Sequence, residues 1–351
     1  MNRTFAIGPA LRRRTLLRRA GQLGVAGALG MGSAGTARAA NIGLVALVHT
    51  QAAGDNGPID DMIANLRKLA DERKFEARTI YASDPATFES ILRNLGEAGA
   101  EVVITTFFPI VQAVAAMAPQ FPKTRFIEIY ANPLPAPLPN VRTIQYDGYY
   151  GMYLSGLFAA KVSRSGSLGY IGGTGLPGLN ADLNALRAGA ASADAAVKVD
   201  GAFAGSFEDP AKGQEIAVQM FDSGIDFIQA DAAATDTGVI QAANEGPERM
   251  VSGVFRSQFK LGPKTVIGSV LVEFGASLYQ QLTQALDGRF ESGHYVSNLN
   301  DGVVDFVLSD LFLAQGPAEL AAKAKAVWPE IAKAKQAIID GSLKVPFKTT
   351  L

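Results

Sequence analysis

Phe207 and Asp231 close two polar loops that frame one short apolar strand. Their types suit recognition of a small molecule, with an aromatic face to lie against a ring and a carboxylate to orient it. The stretch from Gly201 to Gly246 places them. In Ser206-Phe207-Glu208-Asp209-Pro210, Asp209 can cap a helix whose first residue is Pro210, where a missing N–H costs nothing. Ala217, Val218, Met220 and Phe221 keep a helical spacing, and Gly224 ends the helix. Ile225–Ala230 reads as a buried parallel strand, and the polar turn that follows leads through Gly238 into a second helix. Both loops then fall on one edge of a parallel sheet, outside the carboxyl ends of the strands, where open α/β sheets bind ligands.

Other positions offer lesser chemistry. Asp60 and Asp61 follow a glycine-rich loop and sit where acids complement a helix N-terminus; either can instead face a ligand. Phe107 and Phe108 lie at the end of a strand and cannot both point inward, which makes one of them a cleft candidate. Tyr149 and Tyr150 border Gly148 and Gly151, a pair with the dihedral freedom of a hinge, and are expected to line a cleft or to pack the hinge itself. Gly173 to Gly178 is formally a GxGxxG after a strand. Pro177 would remove an N–H from a phosphate cradle, so a dinucleotide site is rejected and Thr174 is kept as a contact for a smaller ligand. The sequence has no GxSxG, no Walker-type loop and no metal-ligand spacing, so no catalytic residue, cofactor or metal is assigned.

Composition narrows the class. With 351 residues, 48% hydrophobic and 19% charged, two globular domains are the natural expectation. The absence of cysteine removes disulfides, thiolate metal sites and a lipidated cysteine, and two histidines, His49 and His294, make an imidazole-rich metal site unexpected. Residues 1–39 read as a signal peptide. Arg13-Arg14-Thr15-Leu16-Leu17-Arg18 fits the twin-arginine pattern, an Ala/Gly-rich apolar run follows, and Ala37-Arg38-Ala39 offers a cleavage site. Export to the periplasm is therefore expected. Removing seven of the 32 basic residues leaves 25 against 33 acidic ones, a net charge near −8 that disfavours nucleic acid.

Strands are expected at 41–50, 77–81, 102–106, 125–130, 141–146, 167–172, 250–255 and 266–272, with helices between them. That alternation implies parallel sheets with right-handed crossovers. Helices are expected from Ile59 to near Lys74 and over Met152–Val162, and the proline-rich segment 132–139 precedes the first crossing between domains.

The pieces GSFEDPAKGQEIAVQMFDSGIDFI and GVIQAANEG, with GDNGPIDDMIAN, YLSGLFAAKVSRSGSLGYIGG and IIDGSLKVPF, resemble the basic membrane protein family of ABC-transporter substrate-binding proteins. The resemblance implies a type I periplasmic-binding-protein fold: two doubly wound parallel-sheet α/β lobes joined by a three-crossing hinge. Residues 40–147 with 273–299 would form the first lobe, and 148–272 with 300–351 the second. It further implies a monomer that clamps a small-molecule ligand and delivers it to a membrane permease and its ATPase. A sensor for a receptor kinase and a nucleoside-hydrolysing enzyme are alternatives on the same scaffold. The best-known members bind purine nucleosides. By that likeness Phe207 would stack on the base and Asp60 would contact it. This chain has no aromatic at Ile59, Phe255 where the family has an acid for ribose, and Val272-Glu273 where it has a lysine. A compact planar ligand such as a free purine base is expected in preference to a nucleoside.

Overall fold

The computed structural model describes residues 43–54 and 57–351. The twin-arginine segment and its cleavage site lie outside the described residues, as does the side chain of Phe108.

Two six-stranded sheets carry the fold. In the first, β1 (Leu44–His49), β2 (Glu76–Tyr81), β3 (Val102–Thr106), β4 (Arg125–Ile129) and β5 (Val141–Tyr146) alternate with α1 (Pro58–Arg73), α2 (Phe88–Glu97) and α3 (Val111–Met117). The second begins after α4 (Tyr149–Val162), with β6 (Ser167–Gly172), α5 (Pro177–Ala193), β7 (Lys198–Phe203), α6 (Pro210–Asp222), β8 (Phe227–Asp231), α7 (Asp236–Asn244), β9 (Met250–Gly253) and β10 (Val266–Val272). The chain then returns through α8 (Phe274–Leu286) and β11 (Gly293–Ser297) to the first sheet. It crosses again to β12 (Val304–Leu308), α9 (Asp310–Gln315) and α10 (Ala318–Ile339).

The two sheets have matching orders, β2-β1-β3-β4-β5-β11 and β7-β6-β8-β9-β10-β12. Every pairing is parallel except that of β12 with β10. Central strands such as LVALVH are buried on both faces and read as unbroken apolar runs, whereas the edge strands β2 and β7 alternate and carry charge. This is the two-lobed doubly wound architecture expected from the sequence.

Three segments link the sheets, at Asp147-Gly148, at Glu273 and between Ser297 and Val304, and they are bonded to one another. Asp147 N–H donates to the Ser297 carbonyl at 2.9 Å, and Glu273 N–H to that of Val303 at 2.8 Å.

Two local expectations change. Helix α4 begins at Tyr149, so Tyr149, Tyr150 and Gly151 belong to its first turn rather than to an extended crossing. Neither Gly148 nor Gly151 adopts a left-handed backbone; Gly148 has φ −56°. Gly151 is there for contact: a Cβ would lie 2.7 Å from Val270 Cγ1 and 3.0 Å from the Asp305 carbonyl oxygen. Residues 293–297, a polar stretch with no strand expected, form the edge strand β11, held to β5 through Arg142↔Gly293 and its successors.

The glycines of the DPAKG and TDTG pieces also prove to be packing positions. A Cβ on Gly213 would lie 2.4 Å from the Thr235 carbonyl oxygen, and one on Gly238 only 1.7 Å from that of Pro210. Close approach of α6 and α7 thus accounts for both.

Candidate functional site

The carboxyl ends of both sheets carry the polar and aromatic side chains that meet at the junction of the lobes. On the first lobe the wall is aromatic. Phe107 follows β3 and Tyr130 follows β4, both half-buried, and both hold left-handed backbones, with φ 66° and 61°. A bulky residue gains nothing locally from that conformation, and such strain tends to persist where surrounding structure fixes a side chain for use. Phe274, at the start of α8, completes the cluster at 6.0 Å from Phe107 and 5.9 Å from Tyr130, centroid to centroid. Tyr146, buried at the end of β5, lies 5.0 Å from Phe274, and its hydroxyl is 2.7 Å from that of Ser277.

The second lobe presents carboxylates. Asp231 ends β8, and the Tyr170 hydroxyl from β6 donates to its Oδ2 at 2.7 Å. The same hydroxyl lies 3.2 Å from the Leu179 carbonyl, which ties it to the first turn of α5. One turn on, Asp182 projects from the same helix face as Leu179. Burial pushes the Asp231 carboxyl up to about 6, against the Tyr170 bond; burial and the charge of Asp231 hold Asp182 well above the usual carboxylate range. Tyr130 reaches over from the first lobe: its hydroxyl lies 3.6 Å from where a Cβ on Gly178 would stand, and its own ionisation is raised by burial and by both acids.

Phe207 lies against Gly173, at the end of β6. A Cβ there would fall 2.3 Å from two atoms of the ring, so only glycine lets the ring occupy this place. Its loop is stitched to the loop after β8 by buried Thr235. Thr235 Oγ1 accepts from Asp209 N–H at 2.9 Å and donates to the Ser206 carbonyl at 3.1 Å, and Thr235 N–H donates to the Phe207 carbonyl at 3.2 Å. Behind Asp231, Asp236 accepts from Ala232 N–H at 2.8 Å and from Gln258 Nε2 at 3.0 Å. Gln258 Oε1 in turn accepts from Val254 and Phe255 N–H, which joins the loops after β8 and β9.

The remaining sequence candidates are placed as follows. Asp60 accepts from Gly54 N–H at 3.0 and 2.9 Å and closes the loop after β1. Asp61 accepts from Gly275 N–H at 2.9 Å and from Asn65 Nδ2 at 2.9 Å, a bond to the start of α8. Tyr149 and Tyr150 pack on each other at 4.3 Å, and Tyr149 also meets Phe347 of the carboxyl-terminal tail at 5.0 Å. Glu273 pairs with Arg256, beside Phe255, at 2.6 Å, so two segments expected to differ from nucleoside binders meet in one ion pair. Thr174 is half-buried beside Gly173. Among the described residues, no group of acids and histidines could hold a metal ion.

Sequence reasoning missed Tyr130, Tyr170 and Asp182. The signal for Asp182 was present: it shares a helix face with Leu179 and Leu186, both buried, and an acid there needs a reason.

Residues 43–338 match the family model for PnrA-like ABC transporter substrate-binding proteins, termed Bmp. The chain belongs to that family. Among curated Bmp relatives, basic membrane protein A of Borreliella burgdorferi is 31% identical over 72% of this chain and 77% of its own length. The ABC transporter nucleoside-binding protein BmpA of Lactococcus lactis is 29% identical over 79% and 80%. A purine-binding protein of Brucella abortus is 26% identical over 63% and 62%. In fold, this Bmp protein matches an ABC transporter solute-binding protein of Aeropyrum pernix with a TM-score of 0.73 at 20% identity, covering 87% of this chain and 94% of that one. It is thus a substrate-binding protein of the ABC-transporter type. No helix among the described residues is long and apolar enough to cross a membrane.

Proposed function

We propose that this Bmp protein captures a compact planar solute, a purine base or similar heteroaromatic, between its lobes and delivers it to a membrane permease driven by an ATPase. One observation carries the reading: the Phe207 ring lies against Gly173 in a glycine-only contact at the carboxyl end of β6, the sheet edge at which Asp231 ends β8. A ring stacked on Phe207 gains from apolar burial and π-contact, and the carboxylates orient its polar edge. The likeness to nucleoside- and purine-binding relatives supports a ring. The replacements at Phe255 and Val272-Glu273, with Arg256 and Glu273 engaged with each other, favour a base over a nucleoside, because ribose hydroxyls would lack the family's acid and lysine. The three crossings serve as the hinge and the protein acts as a monomer. Export follows the twin-arginine route with cleavage near Ala39, which puts the protein in the periplasm.

Calorimetry with adenine, guanine, adenosine and guanosine tests this. A base should bind, and Phe207→Ala should weaken it by about 1–3 kcal/mol. Tight binding of a nucleoside with no binding of its base would overturn the preference.

A further inference from the structure

The loop after β9 and the second crossing meet in one contact: Arg256 Nε donates to Glu273 Oε1 at 2.6 Å. The two residues belong to different lobes. Arg256 follows β9 of the second sheet, whereas Glu273 heads α8. That helix packs on the first lobe through the Asp61–Gly275 bond, the Phe274–Phe107 contact and a bond from Arg125 Nη1 to the Ala285 carbonyl. Of the ion pairs among the described residues, this one alone joins a loop of the second lobe to a helix of the first. The others each stay within one lobe.

Both ends of the pair are fixed. Gln258 Oε1 accepts from Phe255 N–H at 3.1 Å and Gln258 Nε2 donates to buried Asp236, which in turn accepts from Ala232 N–H. The backbone just before Arg256 is thereby tied to the loop after β8. Glu273 N–H donates to the Val303 carbonyl at 2.8 Å, and the Glu273 carbonyl accepts from Ser277 N–H at 2.9 Å, so this residue is held to the third crossing and to α8. A rotation of one lobe against the other about the crossings must act on the contact between two such anchored residues. The Arg256 side chain is 58% exposed, so salt reaches the pair. A bond of this kind shifts a balance between two lobe arrangements without locking either.

We propose that Arg256 and Glu273 form a salt-sensitive latch across the second crossing, which holds the loop after β9 against the head of α8 and biases the lobes toward the arrangement of this structure. The latch sets how far the lobes stand apart before any solute arrives. It therefore does not depend on which solute the cleft takes.

The sequence has no cysteine, so spin labels at Glu89→Cys in α2 and Gln219→Cys in α6, both exposed positions, report the distance between the lobes without background. In the solute-free protein, Arg256→Glu or Glu273→Arg should shift that distance to longer values. The double reversal, which sets opposite charges against each other again, should bring it back. The neutral variant, Arg256→Gln with Glu273→Gln, guards against a folding defect in the reversed ones. Its population at the longer distance should exceed that of the unaltered pair about two- to fivefold, the range an exposed ion pair supplies. High salt should move the unaltered pair the same way and leave the neutral variant where it is. A distance unchanged by both single reversals overturns the proposal, as does a double reversal that fails to restore it. An equal response to salt in the neutral variant overturns it too.

Discussion

Asp61, in the first turn of α1, accepts a hydrogen bond from Gly275 N–H in the first turn of α8 at 2.9 Å. A Cβ on Gly275 would lie 2.4 Å from the same carboxylate oxygen, so the contact requires glycine. One acid thus supplies a side-chain acceptor to a neighbouring helix's orphan N–H and ties the second crossing to the first lobe. Asp61→Ala should cost about 1–2 kcal/mol in urea unfolding. A loss of solute affinity with no loss of stability would place Asp61 in contact with the solute instead.

Thr235 holds the Phe207 loop to the loop after β8 through three hydrogen bonds, two of them made by its side chain. Thr235→Val keeps the shape and strands the Asp209 N–H and the Ser206 carbonyl. A stability loss of about 1–3 kcal/mol is expected, together with weaker solute binding. Unchanged affinity would show that the loop holds its place without this residue.

Glu128 is 1% exposed in β4, and neither of its carboxylate oxygens has a hydrogen-bond partner among the described residues. Burial pushes its carboxyl up to about 8 from an ordinary 4.5. The folded state therefore holds a proton that the unfolded chain releases. Stability should be greatest below the unfolded value and fall as pH rises towards about 8, by up to roughly 1.4 kcal/mol per pH unit. Glu128→Gln, neutral at every pH, should flatten much of that slope. Asp236, raised by burial to about 8, and the raised carboxyls of Asp182 and Asp231 leave the remainder. A wild-type urea midpoint that does not fall between about pH 5 and 8 would refute the account.

Closure makes a prediction independent of solute identity. A solute that binds only the folded, closed form should add about 2.7 kcal/mol of stability at a hundredfold excess over Kd. The radius of gyration in small-angle scattering should fall at the same time. Scattering that does not change on binding would leave the crossings without a hinge role.

The sequence by itself determined the alternation of strands and helices, and with it two parallel sheets, because strands buried on both faces must be continuously apolar and amphipathic helices must cover them. It also placed the Asp209 cap, which accepts from Lys212 N–H at 3.0 Å, and the two loops around β8. Local rules govern these features, and local rules are written in spacing. Tertiary structure decided the rest. Tyr130 belongs to one lobe and Tyr170 and Asp182 to the other, so no local pattern of sequence brings the three together. Asp61 looked free to face a ligand until α8 placed Gly275 against it. Gly151 seemed to offer conformational freedom and Gly238 to belong to a polar turn, yet each makes room for atoms of a neighbouring element. A glycine needed for close approach and one needed for a turn are the same letter. Only the position of the atom facing it distinguishes them.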